Sequence, residues 1–153
     1  MLDLVRFLTG EEVSTVRCTM DVLPSAGPEA SAAVDLTTGG GTVCRIEIAR
    51  VAEGRVGRAV WSGSQGRLEA DWGQRRLHCV DQAGTTDFDL PPAQTVLATL
   101  TAFLQAVNDD TPMPITGEDG FRAVEIAEAC YRSAQDAGAP VTLPILPSHS
   151  ATM

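Results

Sequence analysis

Through the first third of the chain, apolar residues fall on every second position. Val16, Cys18, Met20 and Val22 share one phase, with Thr15, Arg17, Thr19 and Asp21 on the other, so 13–22 is predicted as a half-buried strand. The same period predicts strands over 32–36 and 42–51, the latter with Cys44, Ile46 and Ile48 opposite Arg45, Glu47 and Ala49. Gly39, Gly40 and Gly41 mark the turn between them, and Pro24 to Pro28 a loop. Strands over 59–62 and 67–72 flank Gly63-Ser64-Gln65-Gly66, a hairpin connection. Two more, over 74–80 and 85–90, surround Gly84, and a last short one is expected over 141–143.

Elsewhere the period is helical. A short run over 2–8 closes at Thr9-Gly10, where glycine suits a left-handed helix end. After Pro91-Pro92, with Pro92 expected in the first helical turn, Val96, Leu97, Leu100, Phe103, Leu104 and Val107 form one stripe. Thr116 and Asp119 are spaced as a capping box for a further helix, whose stripe is Phe121, Val124, Ala127, Tyr131 and Ala134, ended by Gly138 and Pro140. Strands first and helices afterwards predict an α+β fold: one open, mainly antiparallel sheet of six or seven strands with helices packed on one face. Residues 1–146 are read as a single domain and 147–153 as a loose tail.

The chain has 153 residues, of which 20 are acidic and 11 basic, a net charge of −9. Phosphate backbones and anionic lipid would repel it, so neither nucleic acid nor membrane is an expected partner. All basic residues are Arg; the absence of Lys removes Schiff-base chemistry and the lysine-bearing phosphate loop. No targeting segment is visible, and the cytoplasm is the expected compartment. Cys18, Cys44, Cys79 and Cys130 are too few and scattered for a disulfide scaffold and read as small buried apolar residues. His78 and His149 read as surface residues without an acid partner, so no metal ligands and no catalytic pair are assigned. The three glycines at 39–41 precede a strand, Gly54-x-x-Gly57 has no helix after it, and no dinucleotide fingerprint occurs. Arg17 with Asp21 and Arg45 with Glu47 decorate the polar sheet face, either solvated or packed against another chain.

Four stretches, in order, carry a resemblance. Leu2-Asp3-Leu4-Val5-Arg6-Phe7-Leu8-Thr9-Gly10 resembles the opening of the C-terminal domain of the glucose–fructose oxidoreductase, inositol dehydrogenase and rhizopine-catabolism (Gfo/Idh/MocA) oxidoreductases. Gly41-Thr42 through Ala49-Arg50 resembles the family's central strand, and Trp61-Ser62-Gly63-Ser64-Gln65-Gly66-Arg67-Leu68-Glu69 a strand, turn and strand. Phe103-Leu104-Gln105-Ala106-Val107, Thr116-Gly117-Glu118-Asp119-Gly120-Phe121-Arg122-Ala123, Tyr131-Arg132-Ser133-Ala134 and Val141-Thr142-Leu143-Pro144 resemble its closing helices and strand.

The resemblance implies an NAD(P)-dependent enzyme of sugars, inositols or related polyols. In that family this domain lines the substrate pocket and joins subunits through its open sheet, giving a homo-oligomer. The cofactor loop and the Lys of a Glu-Lys-Pro motif belong to an N-terminal domain without counterpart here. Asp3 matches the acid of the family's His-x-x-Asp context, whose His would fall just before Met1, so the chain is expected to be catalytically incomplete. Two substrate-facing residues are implied. Arg50 matches a pocket-facing position, or is solvated at a strand end; Asp3 orients the missing His, or caps its own helix. A free-standing, non-enzymatic association module using the same sheet stays open as the alternative.

Overall fold

The protein is described by a computed structural model over residues 2–22, 29–50 and 56–145. The expected loop at 24–28, the tail at 147–153 with His149, and Met1, Val51 and Gly54 lie outside the described residues. In chain order the elements are α1 (Leu2–Thr9), β1 (Val13–Val22), β2 (Glu29–Thr38), β3 (Val43–Ala49), β4 (Arg58–Gly63), β5 (Gly66–Asp71), β6 (Arg76–Asp81), β7 (Gly84–Asp89), α2 (Thr95–Asp109), α3 (Gly117–Gln135) and β8 (Val141–Thr142). The contacts divide them between two compact units, 1–50 with 115–153 and 51–114.

In the first unit, four antiparallel strands run in the order β3-β2-β1-β8. The register Cys18↔Val34↔Ile46 places one apolar row across three strands. Val16, Cys18, Val34, Leu36 and Ile46 form one face of the core, closed by Ile126, Ala129 and Cys130 of α3 and by Val5 of α1. Strict alternation from Val16 would turn Val13 outward, yet Val13 is buried. A register shift between Val13 and Thr15 sets two residues of β1 against one of β2, and this bulge returns Val13 to the core side. The opposite, polar face carries Arg17, Asp35, Arg45 and Glu47 and is open within the unit.

The second unit is a meander, β4-β5-β6-β7, antiparallel throughout. Ser64 and Gln65 form the two-residue loop between β4 and β5, and Gly66 has φ of 153°. A Cβ there would collide with the Val80 carbonyl, so the neighbouring strand itself requires glycine. One face of this sheet is apolar, with Ala59, Trp61, Leu68, Leu77, Cys79 and Phe88; the other carries paired charges.

The α+β arrangement and its antiparallel strands stand as expected, but the single six- or seven-stranded sheet does not. Among the described residues the strands form two sheets of four, and β3 and β4 each lie at an edge. Alternation reveals which face of a strand is buried; it carries no information about which strand lies beside it.

Three helical readings need correction. Pro92 precedes the first turn of α2, which starts at Thr95 with Gln94 as its N-cap. The buried side of α3 is Arg122, Ile126, Ala129, Cys130 and Ser133, while Phe121, Val124 and Tyr131 are exposed. Small residues let α3 approach β1 closely, which the larger side chains would prevent. The stripe of α2 is likewise exposed, with only Ala106 buried, because no sheet of its unit packs extensively against that helix. No described helix is long and apolar enough to cross a membrane.

Candidate functional site

The two residues singled out as substrate-facing sit at different places in the first unit. Arg50 follows β3; its backbone N–H donates to the Ala30 carbonyl at 2.9 Å, and its exposed guanidinium has no ion pair with another described residue. Asp3 lies in the first turn of α1 and accepts from Arg6 Nη1 at 3.1 Å. That bond is a third use of the carboxylate, beyond orienting a histidine or capping the helix. No hydrogen bond or ion pair joins Asp3 to Arg50 among the described residues.

What Asp3 does join is an ion-pair network that ties α1 to the start of β1 and to α3. Arg6 donates from Nε and Nη2 to the two oxygens of Glu12, at 3.0 and 2.7 Å, a bidentate fork. Its Nη1 also reaches Asp119 Oδ1 at 3.3 Å. The hydrogen bond from Arg6 holds the Glu12 carboxyl below the ordinary carboxylate range, and Glu12 in turn raises the Arg6 guanidinium. Asp119 is lowered first by the Thr116 backbone N–H of the capping box, then by the Thr116 hydroxyl and Arg6.

Beneath these residues, Arg122 is buried to 3% exposure. It pairs with Glu125, lies 3.4 Å from Glu118 and 3.7 Å from Glu12, and donates to the Pro144 carbonyl at 3.3 Å. Its Nη2 is buried without a hydrogen-bond partner among the described residues. The sequence reading missed Arg6, Glu12 and Arg122. The available signal was the phase of Arg122, which recurs with Ile126, Ala129 and Ser133 on the buried side of α3.

Charge is also organised on both polar sheet faces. In the first unit Arg17, Asp35 and Arg45 stand side by side across β1, β2 and β3. Arg45 reaches Asp35 at 3.2 Å and Glu47 at 2.9 Å, and Ser31 donates to Asp21 at 2.8 Å. In the second unit a shallow groove of about 390 Å³ is lined by Arg58, Val60, Glu69, Asp71, Arg76 and His78. Arg58 pairs with Asp71 at 2.8 Å and Arg76 with Asp87 at 3.1 Å.

His78, expected without an acid partner, has one: its Nδ1 lies 2.7 Å from Asp87 Oδ1. That bond, then the one from Arg76, lowers the Asp87 carboxyl. Counting outward from the Gly84 turn, where Asp81 faces Gly84, puts His78 opposite Asp87. The register was there to be counted.

All four cysteines are free thiols, Cys18 and Cys130 buried and Cys44 and Cys79 half-buried. Among the described residues no group of three or more His, Cys, Asp or Glu side chains is arranged to hold a metal ion. The dinucleotide implied by the resemblance does not fit the chain's glycine-rich turn. Gly39, Gly40 and Gly41 lead into β3 and not into a helix, and the Glu11 carboxylate lies where a Cβ of Gly40 would stand. A phosphate there would meet a carboxylate in place of helix-end N–H groups.

Residues 1–143 match the family described as oxidoreductase family, C-terminal alpha/beta domain. Solved structures of the same fold include a UDP-N-acetylglucosamine 3-dehydrogenase from Acidithiobacillus ferrooxidans, 24% identical, with a TM-score of 0.80 over 88% of this chain and 44% of that one. An oxidoreductase from Agrobacterium radiobacter, in complex with NAD+, L-tartaric acid and magnesium, is 21% identical with a TM-score of 0.80 over 92% of this chain and 46% of the other. A protein from Sinorhizobium meliloti assigned as a myo-inositol dehydrogenase is 27% identical, with a TM-score of 0.74 over 94% and 47%. The chain therefore spans less than half the length of these solved relatives. No curated protein matches the sequence.

Proposed function

This chain belongs to the oxidoreductase family whose C-terminal alpha/beta domain its residues 1–143 match, and on that premise we propose that it is the substrate-binding and oligomerisation domain of an NAD(P)-dependent dehydrogenase of sugars, inositols or related polyols. The family match carries the reading; the likeness to a sugar-nucleotide dehydrogenase and to a protein assigned as an inositol dehydrogenase supports the substrate class. Residues 1–146 act in it as one domain, in the cytoplasm, with free thiols in keeping with that compartment.

Arg50 is the substrate-orienting residue of this reading. Its exposed guanidinium offers several N–H donors to hydroxyl or carboxylate oxygens. Asp3 contributes through Arg6, which fixes its carboxylate on α1. The open polar face of β3-β2-β1-β8 joins copies of the chain. By itself the chain is catalytically incomplete: it lacks Lys, and the dinucleotide does not fit its glycine turn. Without cofactor positioning, hydride transfer forfeits an effective molarity worth on the order of 7–11 kcal/mol.

Fluorescence titration with NADH and NADPH, followed by turnover assays on a panel of sugars and inositols, tests this. The expected result is no nucleotide binding and no turnover by the chain alone, with weak polyol binding that Arg50→Ala abolishes. Micromolar affinity for either nucleotide, or turnover above the blank, overturns the incomplete-enzyme reading. Polyol binding unchanged in Arg50→Ala removes that residue from the site.

A further inference from the structure

We propose that Cys18 and Cys130 form a latent redox site, a buried dithiol that an oxidant of the peroxide class closes into a disulfide between β1 and α3. Two observations place the sulfurs together. Ser133 of α3 hydrogen-bonds through its Oγ to the backbone N–H of Cys18, at 2.8 Å. Cys130 lies one turn before Ser133, so both stand on the same buried side of the helix, over the same residue of β1. Both residues belong to one buried apolar cluster, and Cys18 is among the groups that raise the Cys130 thiol. Neither is available to solvent, at 1% and 4% exposure. The other two free thiols, Cys44 on β3 and Cys79 on β6, are half-buried and have no such partner described.

The chemistry balances with one equivalent of peroxide. One thiol, as thiolate, attacks a peroxide oxygen; the O–O bond breaks, and the sulfur becomes a sulfenic acid as the first water leaves. The second sulfur then attacks the sulfenic sulfur, forming the S–S bond and expelling the second water. Two protons and two electrons pass from the thiols to the peroxide.

Burial pushes the Cys130 thiol up to about 12 and raises Cys18 as well. The first step is therefore slow in the closed fold and is gated by transient separation of α3 from β1. Once made, the bond closes a loop running from Cys18 to Cys130, most of the chain. Such a closure restricts the unfolded chain strongly and raises the melting temperature, here by roughly 5–15 °C.

The test uses the full chain with Cys44→Ser and Cys79→Ser, which removes the other thiols without touching the core pair. After treatment with excess hydrogen peroxide, the expected product is a single chain, not cross-linked to another, lighter by two hydrogens. Its peptide map links Cys18 to Cys130, and its raised melting temperature returns to the starting value with dithiothreitol. Low urea accelerates closure several-fold by opening the helix. Adding Cys130→Ala abolishes both the mass loss and the melting shift. Thiols that stay reduced even in low urea overturn the proposal, as do sulfinic acid on either cysteine or a link only between chains. Should Cys130→Ala fail to fold, the peptide map of the double variant decides alone.

Discussion

At the scale of single residues, the largest electrostatic stake is Arg122. Its charge is out of water and faces Glu125, Glu118 and Glu12, so loss of the guanidinium would leave carboxylates short of a partner. Breaking such a buried arrangement from one side costs about 3–5 kcal/mol. Urea unfolding of Arg122→Leu is expected to show a loss of that size, and Glu125→Gln added to it to restore part. Acid acts on the same cluster from the other side. The folded Glu12 carboxyl titrates below its ordinary value of 4.5, so its contribution is complete above that pH and disappears as the pH falls through the lower, folded value. Stability measured from pH 6 downward should therefore drop more steeply below about 4.5 in the parent than in Glu12→Gln; parallel profiles would refute the linkage. Within α3, Glu118 and Glu125 stand at helical spacing from Arg122 and could be read, but the pairings between elements were not legible in the sequence. Arg6 and Asp119 are separated by 113 positions, and nothing local in either stretch announces the other. By contrast, the His78–Asp87 pair, which the sequence analysis missed, could have been counted, because hairpin register follows from the turn.

At the scale of elements, ends read better than faces. The capping box of α3 is present as spaced, with Thr116 accepting from the Asp119 N–H and Asp119 accepting from the Thr116 N–H. Thr116→Ala is expected to cost about 1 kcal/mol in urea unfolding, with Thr116→Ser close to neutral. The α1 terminus at Gly10, with φ of 68°, was legible for the same reason: local chemistry decides an end. Faces depend on what lies across from them. The apolar stripe of α3 appeared to be Phe121, Val124 and Tyr131 because those are its largest apolar residues. Contact with β1 selected instead the side where Ala129, Cys130 and Ser133 permit close packing. On α2 the stripe is real in sequence but uncovered in this chain, with Leu100 and Phe103 each more than half exposed. Leu100→Gln and Phe103→Gln should accordingly shift stability by no more than about 0.5 kcal/mol. A loss of several kcal/mol would show that α2 is covered in solution.

At the scale of the whole molecule, the fold class was legible because strand period, hairpin turns and helix caps all agree, whereas the division into two sheets was not, since sheet neighbours are chosen by tertiary contact. Charge at this scale bears on assembly. The chain carries −9 overall, so random contact between copies is repulsive. The polar face of β3-β2-β1-β8 is different: Arg17 and Arg45 alternate there with Asp35, Glu47 and Asp21, close to local neutrality. Because Arg45 is already paired with Asp35 and Glu47, burying this face buries compensated charges, which lowers the desolvation cost of an interface. A twofold contact through it is the expected assembly, a dimer or a multiple of one. Sedimentation at tens of micromolar should show no monomer-only solution. Glu47→Arg places a third cation beside Arg17 and Arg45 on each copy, so it should shift the chain toward monomer while leaving its melting transition in place. An unchanged assembly in Glu47→Arg would place the interface elsewhere, and a parent that sediments only as monomer would remove the sheet face from any role in association.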